Sequence, residues 1–281
     1  MQVNMLFCCP KCKGELTEAD GRAVCLSGHS YDKSKYGYYN LLLSQAGGVH
    51  GDNRDMIDAR ATFLSLGYYA PLRDAVCETV LSLTQGESVP TILDCGAGEG
   101  YYTDGVERAL HARDGDSSVW AFDISKDAIR AIRRRNTRIK TAVFGSYDMP
   151  VPTGTVSLAL AMFSPNAYEE IGRTLKYGGY YIMVIPAEEH LFELKSELYD
   201  KPYKNVVEDT ALSGYELVLR RPVRYKMELS NTDAIMSLFA MTPYAYRTAR
   251  SGRERLSSLS SLTVTADFLI LAYKKKPLGA F

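Results

Sequence analysis

Between Thr91 and Ile185 the chain alternates short apolar runs with segments whose apolar residues recur every three or four positions. The runs, at 91–94, 119–122, 140–144, 156–161 and 180–185, read as strands buried on both faces. The segments between them, at about 100–112, 126–136, 166–176 and 188–200, read as helices with one apolar face. Strict βα alternation of this kind predicts a parallel sheet covered by helices. Residues 221–229 and 263–273 instead alternate apolar and polar side chains, which predicts an antiparallel pair with a helix near 231–240 between them. Two further helices, Asp52 to Leu66 and Tyr69 to Leu83, are expected before the first strand, with Gly67 as the break. Ser44 to Gly51 is polar and contains glycine, and reads as a linker.

The first strand runs directly into glycines: Thr91-Ile92-Leu93-Asp94-Cys95-Gly96-Ala97-Gly98-Glu99-Gly100-Tyr101-Tyr102-Thr103. Such a turn at the carboxyl edge of a parallel sheet is where doubly wound folds hold nucleoside-like ligands. Asp123 ends the second strand, where a carboxylate can accept hydrogen bonds from both ribose hydroxyls of an adenosine. The loop departs from the dinucleotide fingerprint. The Gly-x-Gly-x-x-Gly spacing is absent, and Asp94 and Glu99 put negative charge where a pyrophosphate would want none. A ligand without phosphate fits better, which points to S-adenosyl-L-methionine. The structural alternative is a loop that needs glycine only for positive φ. With the sheet order above, the expected architecture is an α/β class I (Rossmann-like) S-adenosylmethionine-dependent methyltransferase fold.

Six cysteines are present, four of them before residue 26. Cys9-Pro10-Lys11-Cys12 and Cys25-Leu26-Ser27-Gly28-His29 give Cys-x2-Cys-x12-Cys-x3-His. Three thiolates and an imidazole suit Zn2+, and four protein ligands leave no open position, so the site is expected to be structural. Cys8 is an alternative to Cys9, which makes the tighter chelate. Cys77 and Cys95 read as small buried residues rather than nucleophiles. The chain thus divides into a zinc-binding module, 1–43, and a methyltransferase domain, 44–281. So short a module can hardly bury a core alone, so metal binding and folding should be coupled.

Composition narrows the partners. Net charge is zero over 281 residues, but Lys201 to Phe281 holds 13 Lys and Arg against 7 Asp and Glu, a local excess of 6. Basic clusters occur at 130–140, 220–226, 247–255 and 274–276, the last three with tyrosines among or beside them, which favours an anionic partner with stackable bases over merely solvated faces. No run of 18 apolar residues and no signal-peptide pattern occurs, so no membrane association and a cytoplasmic location are expected. A homodimer is left open.

These residues together resemble the bacterial 23S ribosomal RNA guanine-N1 methyltransferases of the RlmA type, a family that includes macrolide-resistance members. The likeness runs in order along nearly the whole chain. It takes in the zinc pattern, Tyr36-Gly37-Tyr38-Tyr39-Asn40-Leu41-Leu42, Gly51-Asp52, Ala59-Arg60 and Gly67-Tyr68-Tyr69-Ala70-Pro71-Leu72. It continues through Gly98-Glu99-Gly100-Tyr101-Tyr102-Thr103, Asp123-Ile124-Ser125-Lys126, Lys176-Tyr177-Gly178-Gly179, His190-Leu191, Glu193-Leu194-Lys195 and Met241-Thr242-Pro243-Tyr244. The resemblance implies zinc on Cys9, Cys12, Cys25 and His29, and cofactor contacts from Tyr69, the Gly100-Tyr101 corner, Asp123 and His190. Read alone, His190 also fits a core or surface histidine, and Tyr69 a packing residue. With the loop, the expected cofactor set is Tyr69, Asp94, Gly96, Gly98, Glu99, Gly100, Tyr101, Asp123 and His190.

Ala97 stands where some members of the family have Cys and, being small, should be harmless, and Phe163-Ser164-Pro165 stands where the resemblance leads one to expect aromatic-Ala-Pro. The second loop should border the target base. The resemblance implies methyl transfer to N1 of a guanine in a 23S rRNA stem-loop, the base being extruded and stacked on aromatic side chains. Phe163, Tyr147 and Tyr244 are the stacking candidates. No general base is identified, and Asp52 and Asp55 read as solvated carboxylates before they read as bases. Two other functions are weighed: a small-molecule methyltransferase with a zinc lid, and a non-catalytic zinc-containing RNA-binding protein. The basic C-terminal part argues against the first, the intact loop and Asp123 against the second.

Overall fold

A computed structural model describes residues 5–43, 51–207 and 210–277, so the expected linker lies outside the described residues except for Gly51. Three short strands, β1 (Leu16–Ala19), β2 (Arg22–Cys25) and β3 (Ser30–Asp32), form an antiparallel ribbon at the N-terminus. Its first turn is Asp20-Gly21, both with positive φ, as a two-residue hairpin requires. After a two-residue strand β4 (Tyr39–Asn40) come helices α1 (Arg54–Ser65) and α2 (Ala70–Leu83). The Asn53 side chain caps α1 by accepting from the Met56 amide.

The alternating region follows as β5 (Thr91–Cys95), α3 (Tyr101–Asp114), β6 (Ser118–Asp123), α4 (Lys126–Arg135), β7 (Lys140–Val143), β8 (Val156–Met162), α5 (Tyr168–Thr174), β9 (Leu175–Pro186) and α6 (Phe192–Leu198). The chain ends with β10 (Tyr215–Leu229), α7 (Thr232–Ala240), α8 (Arg250–Ser257) and β11 (Leu262–Lys275). The main sheet has eight strands in the order β10-β11-β9-β8-β5-β6-β7-β4. Strands β5 to β9 pair in parallel, and β11 runs antiparallel to both β9 and β10. Apolar side chains on the two faces of the sheet form two separate cores.

The end of the zinc module reaches the main sheet, where β4 adds in parallel to β7 as the eighth strand, pairing Tyr39 with Ala142. Strands β9 and β10 and helix α8 differ from the expectation, β10 beginning at Tyr215 rather than 221. Strand β9 begins at Leu175 rather than 180, because Leu175 pairs with Val156 across a bulge. Gly179 makes that approach feasible, since a Cβ there would lie 2.9 Å from the Lys176 carbonyl oxygen and 3.0 Å from that of Ser157. Helix α8 was not foreseen: only Gly252 and Leu256 are buried in it, too few for an apolar stripe.

The ribbon is anchored to the larger domain. The Phe7 ring meets Trp120 and Phe144 edge-on at 5.1 and 5.3 Å. The Cys8 amide donates to the Pro150 carbonyl at 2.8 Å. The Arg133 guanidinium donates to the Tyr36 carbonyl at 3.1 Å.

Candidate active site and zinc site

Strand order reverses between β8 and β5, and the chain leaves the carboxyl end of β5 there into the glycine loop. The Gly96 and Ala97 amides both donate to the Phe122 carbonyl at 3.0 Å, which fixes the loop against β6. Asp123 then accepts from the Gly98 amide at 3.0 Å and the Ser125 amide at 2.8 Å, one on each carboxylate oxygen. Asp94 is fully buried. The Thr103 hydroxyl donates to its Oδ2 at 2.6 Å, while Oδ1 has no partner among the described residues. Burial pushes Asp94 up to about 7 and raises Asp123 as well.

Glu99 is also buried, and both its oxygens are engaged: Arg135 donates to Oε2 at 2.6 Å and the Tyr101 amide to Oε1 at 3.2 Å. Three carboxylates around one loop repel a phosphate group. A neutral or cationic nucleoside is the ligand class they admit, and the unpartnered Asp94 oxygen fits the ammonium of S-adenosyl-L-methionine.

The loop opens onto a cavity of about 1470 Å³. Tyr69, Asp94, Gly96, Gly98, Glu99, Asp123 and His190 of the expected cofactor set line it, as do the three stacking candidates Phe163, Tyr147 and Tyr244. Gly100 and Tyr101 do not line it. Gly100 packs on Ile132, where a Cβ would come within 2.8 Å, and its φ of 83° starts helix α3. The Tyr101 ring turns away and lies between Arg73 at 5.4 Å and Arg135 at 5.9 Å. Tyr102, one residue on and about 100° around the helix, lines the cavity instead, 6.2 Å from Phe163. Sequence reading missed Tyr102, although the helical period across Tyr101-Tyr102 allows only one of the pair to face that way.

Tyr69, also in the lining, is buried edge-on against Phe63 and Phe268, at 5.4 and 5.3 Å. The His190 ring lies 4.4 Å from Phe268. The Asp267 amide donates to His190 Nδ1 at 3.3 Å, so in the neutral ring Nε2 carries the hydrogen. Burial, with the Lys195 ammonium adding to it, lowers His190 to about 3 and keeps it neutral. Phe163 and Leu191 border the cavity with left-handed backbones, φ 56° and 55°, a strain found at sites that fix a side chain for use. Ser164 donates its hydroxyl to the Cys95 carbonyl at 2.7 Å and so ties this loop to the glycine loop. Asp52 is paired with Arg60 at 2.6 Å, and Asp55 is exposed on the first turn of α1 away from the cavity lining.

Within the ribbon, the ligand atoms of Cys9, Cys12, Cys25 and His29 all lie within 4.8 Å of one another. Cys9 Sγ and Cys25 Sγ are 3.5 and 3.4 Å from His29 Nδ1, and Cys12 Sγ is 3.6 Å from Cys25 Sγ. A tetrahedral zinc ion with Zn–S of about 2.3 Å and Zn–N of about 2.0 Å spans edges of roughly 3.5–3.8 Å, so the four fit one ion. The Tyr31 hydroxyl, 3.3 Å from Cys9 Sγ, supports the cluster from outside. Cys8 is buried beside it and takes no part. Cys95 is buried and Cys77 half-buried. Pro10, between two zinc ligands, lines the cavity, so the ribbon is one of its walls.

This fold and glycine loop define a class I, S-adenosyl-L-methionine-dependent methyltransferase carrying a zinc ribbon. Residues 7–46 match the zinc-ribbon model of RlmA N-terminal modules, and residues 92–179 match the methyltransferase domain model. A Bacillus subtilis (strain 168) protein provisionally named 23S rRNA (guanine-N(1)-)-methyltransferase YxjB is 30% identical over 276 residues, 95% of this chain and 96% of that protein. The 23S rRNA (guanine(748)-N(1))-methyltransferase of Streptomyces fradiae is 31% identical over 244 residues, 85% of each chain. A Micromonospora griseorubida protein provisionally given the guanine-N(1) name is 31% identical over 289 residues, 95% of this chain and 96% of its own. The chain belongs to the RlmA-type family of 23S rRNA guanine-N1 methyltransferases. Among the described residues no helix is long and apolar enough to cross a membrane.

Proposed function

We propose that the protein methylates N1 of a guanine in a stem-loop of 23S rRNA, in the cytoplasm, where ribosomal RNA is at hand. One observation carries the reading: a single cavity is lined both by the cofactor loop and by Pro10 of the zinc ribbon. A nucleotide that enters such a cavity is gripped by both modules. Asp123 would hold the ribose hydroxyls and the free oxygen of Asp94 the ammonium, with Tyr69 and His190 in the same lining. When bound there, S-adenosyl-L-methionine supplies an electrophilic methyl group.

The residues of the chain align the base and exclude water. Phe163, Tyr147 and Tyr244 stack the extruded guanine; Tyr147 is 74% exposed and therefore placed to meet it first. His190 is no base, because Nδ1 already accepts the Asp267 amide and Nε2 carries the hydrogen. The other cavity carboxylates are engaged: Asp52 with Arg60, Glu99 with Arg135, Asp148 with Lys13, Asp123 with two amides. No general base is assigned among these residues; the guanine N1 proton leaves to a base or to water. The test is incubation with labelled S-adenosyl-L-methionine and unmodified 23S rRNA, then digestion to nucleosides. Label in N1-methylguanosine is expected; label confined to small molecules would contradict the reading.

A further inference from the structure

We propose that Lys195 is a positioning residue for the RNA substrate: its ammonium fixes residues 203–206 as a wall of the cavity, with Tyr203 presented for stacking. The inference deepens the reading of 23S rRNA as substrate and rests on it. Lys195 lies on α6 and is 0% exposed. Fully buried lysines ordinarily have a carboxylate partner. Among the described residues Lys195 has none within ion-pair distance. Its Nζ donates to the Tyr203 carbonyl at 3.2 Å and to Asn205 Oδ1 at 2.7 Å. The same ammonium lies over the Tyr203 and Tyr244 rings, 4.6 and 5.8 Å from their centroids.

The segment it holds lies in the connection between α6 and β10, whose described part contains no helix or strand. Long irregular connections of this kind are either disordered or functional. This one is tied down. Asn205 donates its side-chain amide to the Ala187 carbonyl at 2.8 Å and its backbone amide to the Glu188 carbonyl at 3.0 Å. Tyr203 and Val206 line the cavity and are nevertheless 56% and 86% exposed, a placement that burial of apolar surface does not explain. Both acceptors of the ammonium, the Tyr203 carbonyl and Asn205 Oδ1, belong to this one segment, so its hydrogen bonds go to holding the segment in place. What those bonds hold is an aromatic platform, the Tyr203 ring, in the cavity lining.

The decisive comparison is of wild type, Lys195→Met, Tyr203→Ala and the double variant. In Lys195→Met, hydrogen exchange at the Asn205 amide should speed up roughly tenfold or more, with S-adenosyl-L-methionine affinity unchanged. Its kcat/KM on 23S rRNA should fall roughly five- to 150-fold, the range for losing one stacking platform, mainly through KM. Tyr203→Ala, an exposed change that leaves folding intact, should fall as far, and the double variant no further. Unchanged exchange, an unchanged KM, additive losses, or a Lys195→Met protein that loses stability and cofactor affinity together would each overturn the proposal. If wild type methylates no ribosomal RNA, the substrate reading fails, while the exchange comparison still decides what Lys195 holds.

Discussion

The Thr103 hydroxyl donates to one oxygen of Asp94 at 2.6 Å, while the other oxygen of this buried carboxylate has no partner among the described residues. One side chain thus fixes the carboxylate and leaves half of it for a ligand. Burial raises Asp94 from its ordinary 3.8 to about 7, so the folded, ligand-free protein binds this proton more tightly than the unfolded chain. Stability from this group is present below pH 4 and is lost as pH rises through about 7. A cationic ligand reverses the preference, so S-adenosyl-L-methionine affinity should rise between pH 6 and 8 with release of a proton. Calorimetry in two buffers of different ionisation enthalpy reads that proton, and Asp94→Asn should abolish it.

Asp123→Ala should weaken cofactor binding by roughly 1–3 kcal/mol, the scale for removing a charged hydrogen-bond acceptor. Because Asp123 also holds the Gly98 and Ser125 amides, part of that loss is loosening of the loop. Titration calorimetry showing unchanged affinity would place the ribose elsewhere.

Gly100→Ala tests whether this glycine serves packing rather than ligand contact. A left-handed φ of 83° and a Cβ 2.8 Å from Ile132 should together cost about 2–5 kcal/mol. The melting temperature should fall, and cofactor affinity measured well below it should be near normal. A stable variant with weak binding would assign Gly100 to the ligand after all.

Much of the site was legible because its chemistry is local. Cys9, Cys12, Cys25 and His29 declare themselves by spacing, and Asp123 by its place at a strand end. What was hidden depends on long-range packing. Tyr101 and Tyr102 are indistinguishable by type, and only the docking of α3 on α4 through Gly100 and Ile132 decides which ring turns inward. Lys195 reads as a surface lysine until Tyr203, Asn205 and Tyr244 close over it. The short β4 carries too few residues to show that its partner is β7, about a hundred positions away.

One zinc ion per chain is expected by elemental analysis. Cys12→Ser should remove it and depress RNA methylation, while cofactor affinity survives because β5 and β6 build that loop. The effect reaches the cavity through the Cys8 amide on Pro150 and the ion pair of Lys13 with Asp148, which brace the loop carrying Tyr147. Protein purified without chelators and lacking zinc would contradict this.

RNA affinity should fall steeply with salt, as phosphate contacts release counterions. Of the cations beside the Pro243-Tyr244 wall, Arg250 is paired with Glu254 and Arg253 with the Ala245 carbonyl, whereas Arg247 is exposed with no ion-pair partner among the described residues. Arg247→Ala should therefore reduce the salt slope by about one phosphate contact. An unchanged slope would put the RNA on another face.

The most direct test of the whole account is primer extension on unmodified 23S rRNA incubated with the protein and S-adenosyl-L-methionine. A methyl group on N1 removes the donor that pairs with cytosine, so reverse transcriptase should stop one nucleotide before a single guanine, and only when the cofactor is present. Asp123→Ala should weaken that stop in proportion to its lost affinity. Methyl incorporation with no stop would show a different target atom, and tight cofactor binding with no incorporation into RNA would contradict the central claim.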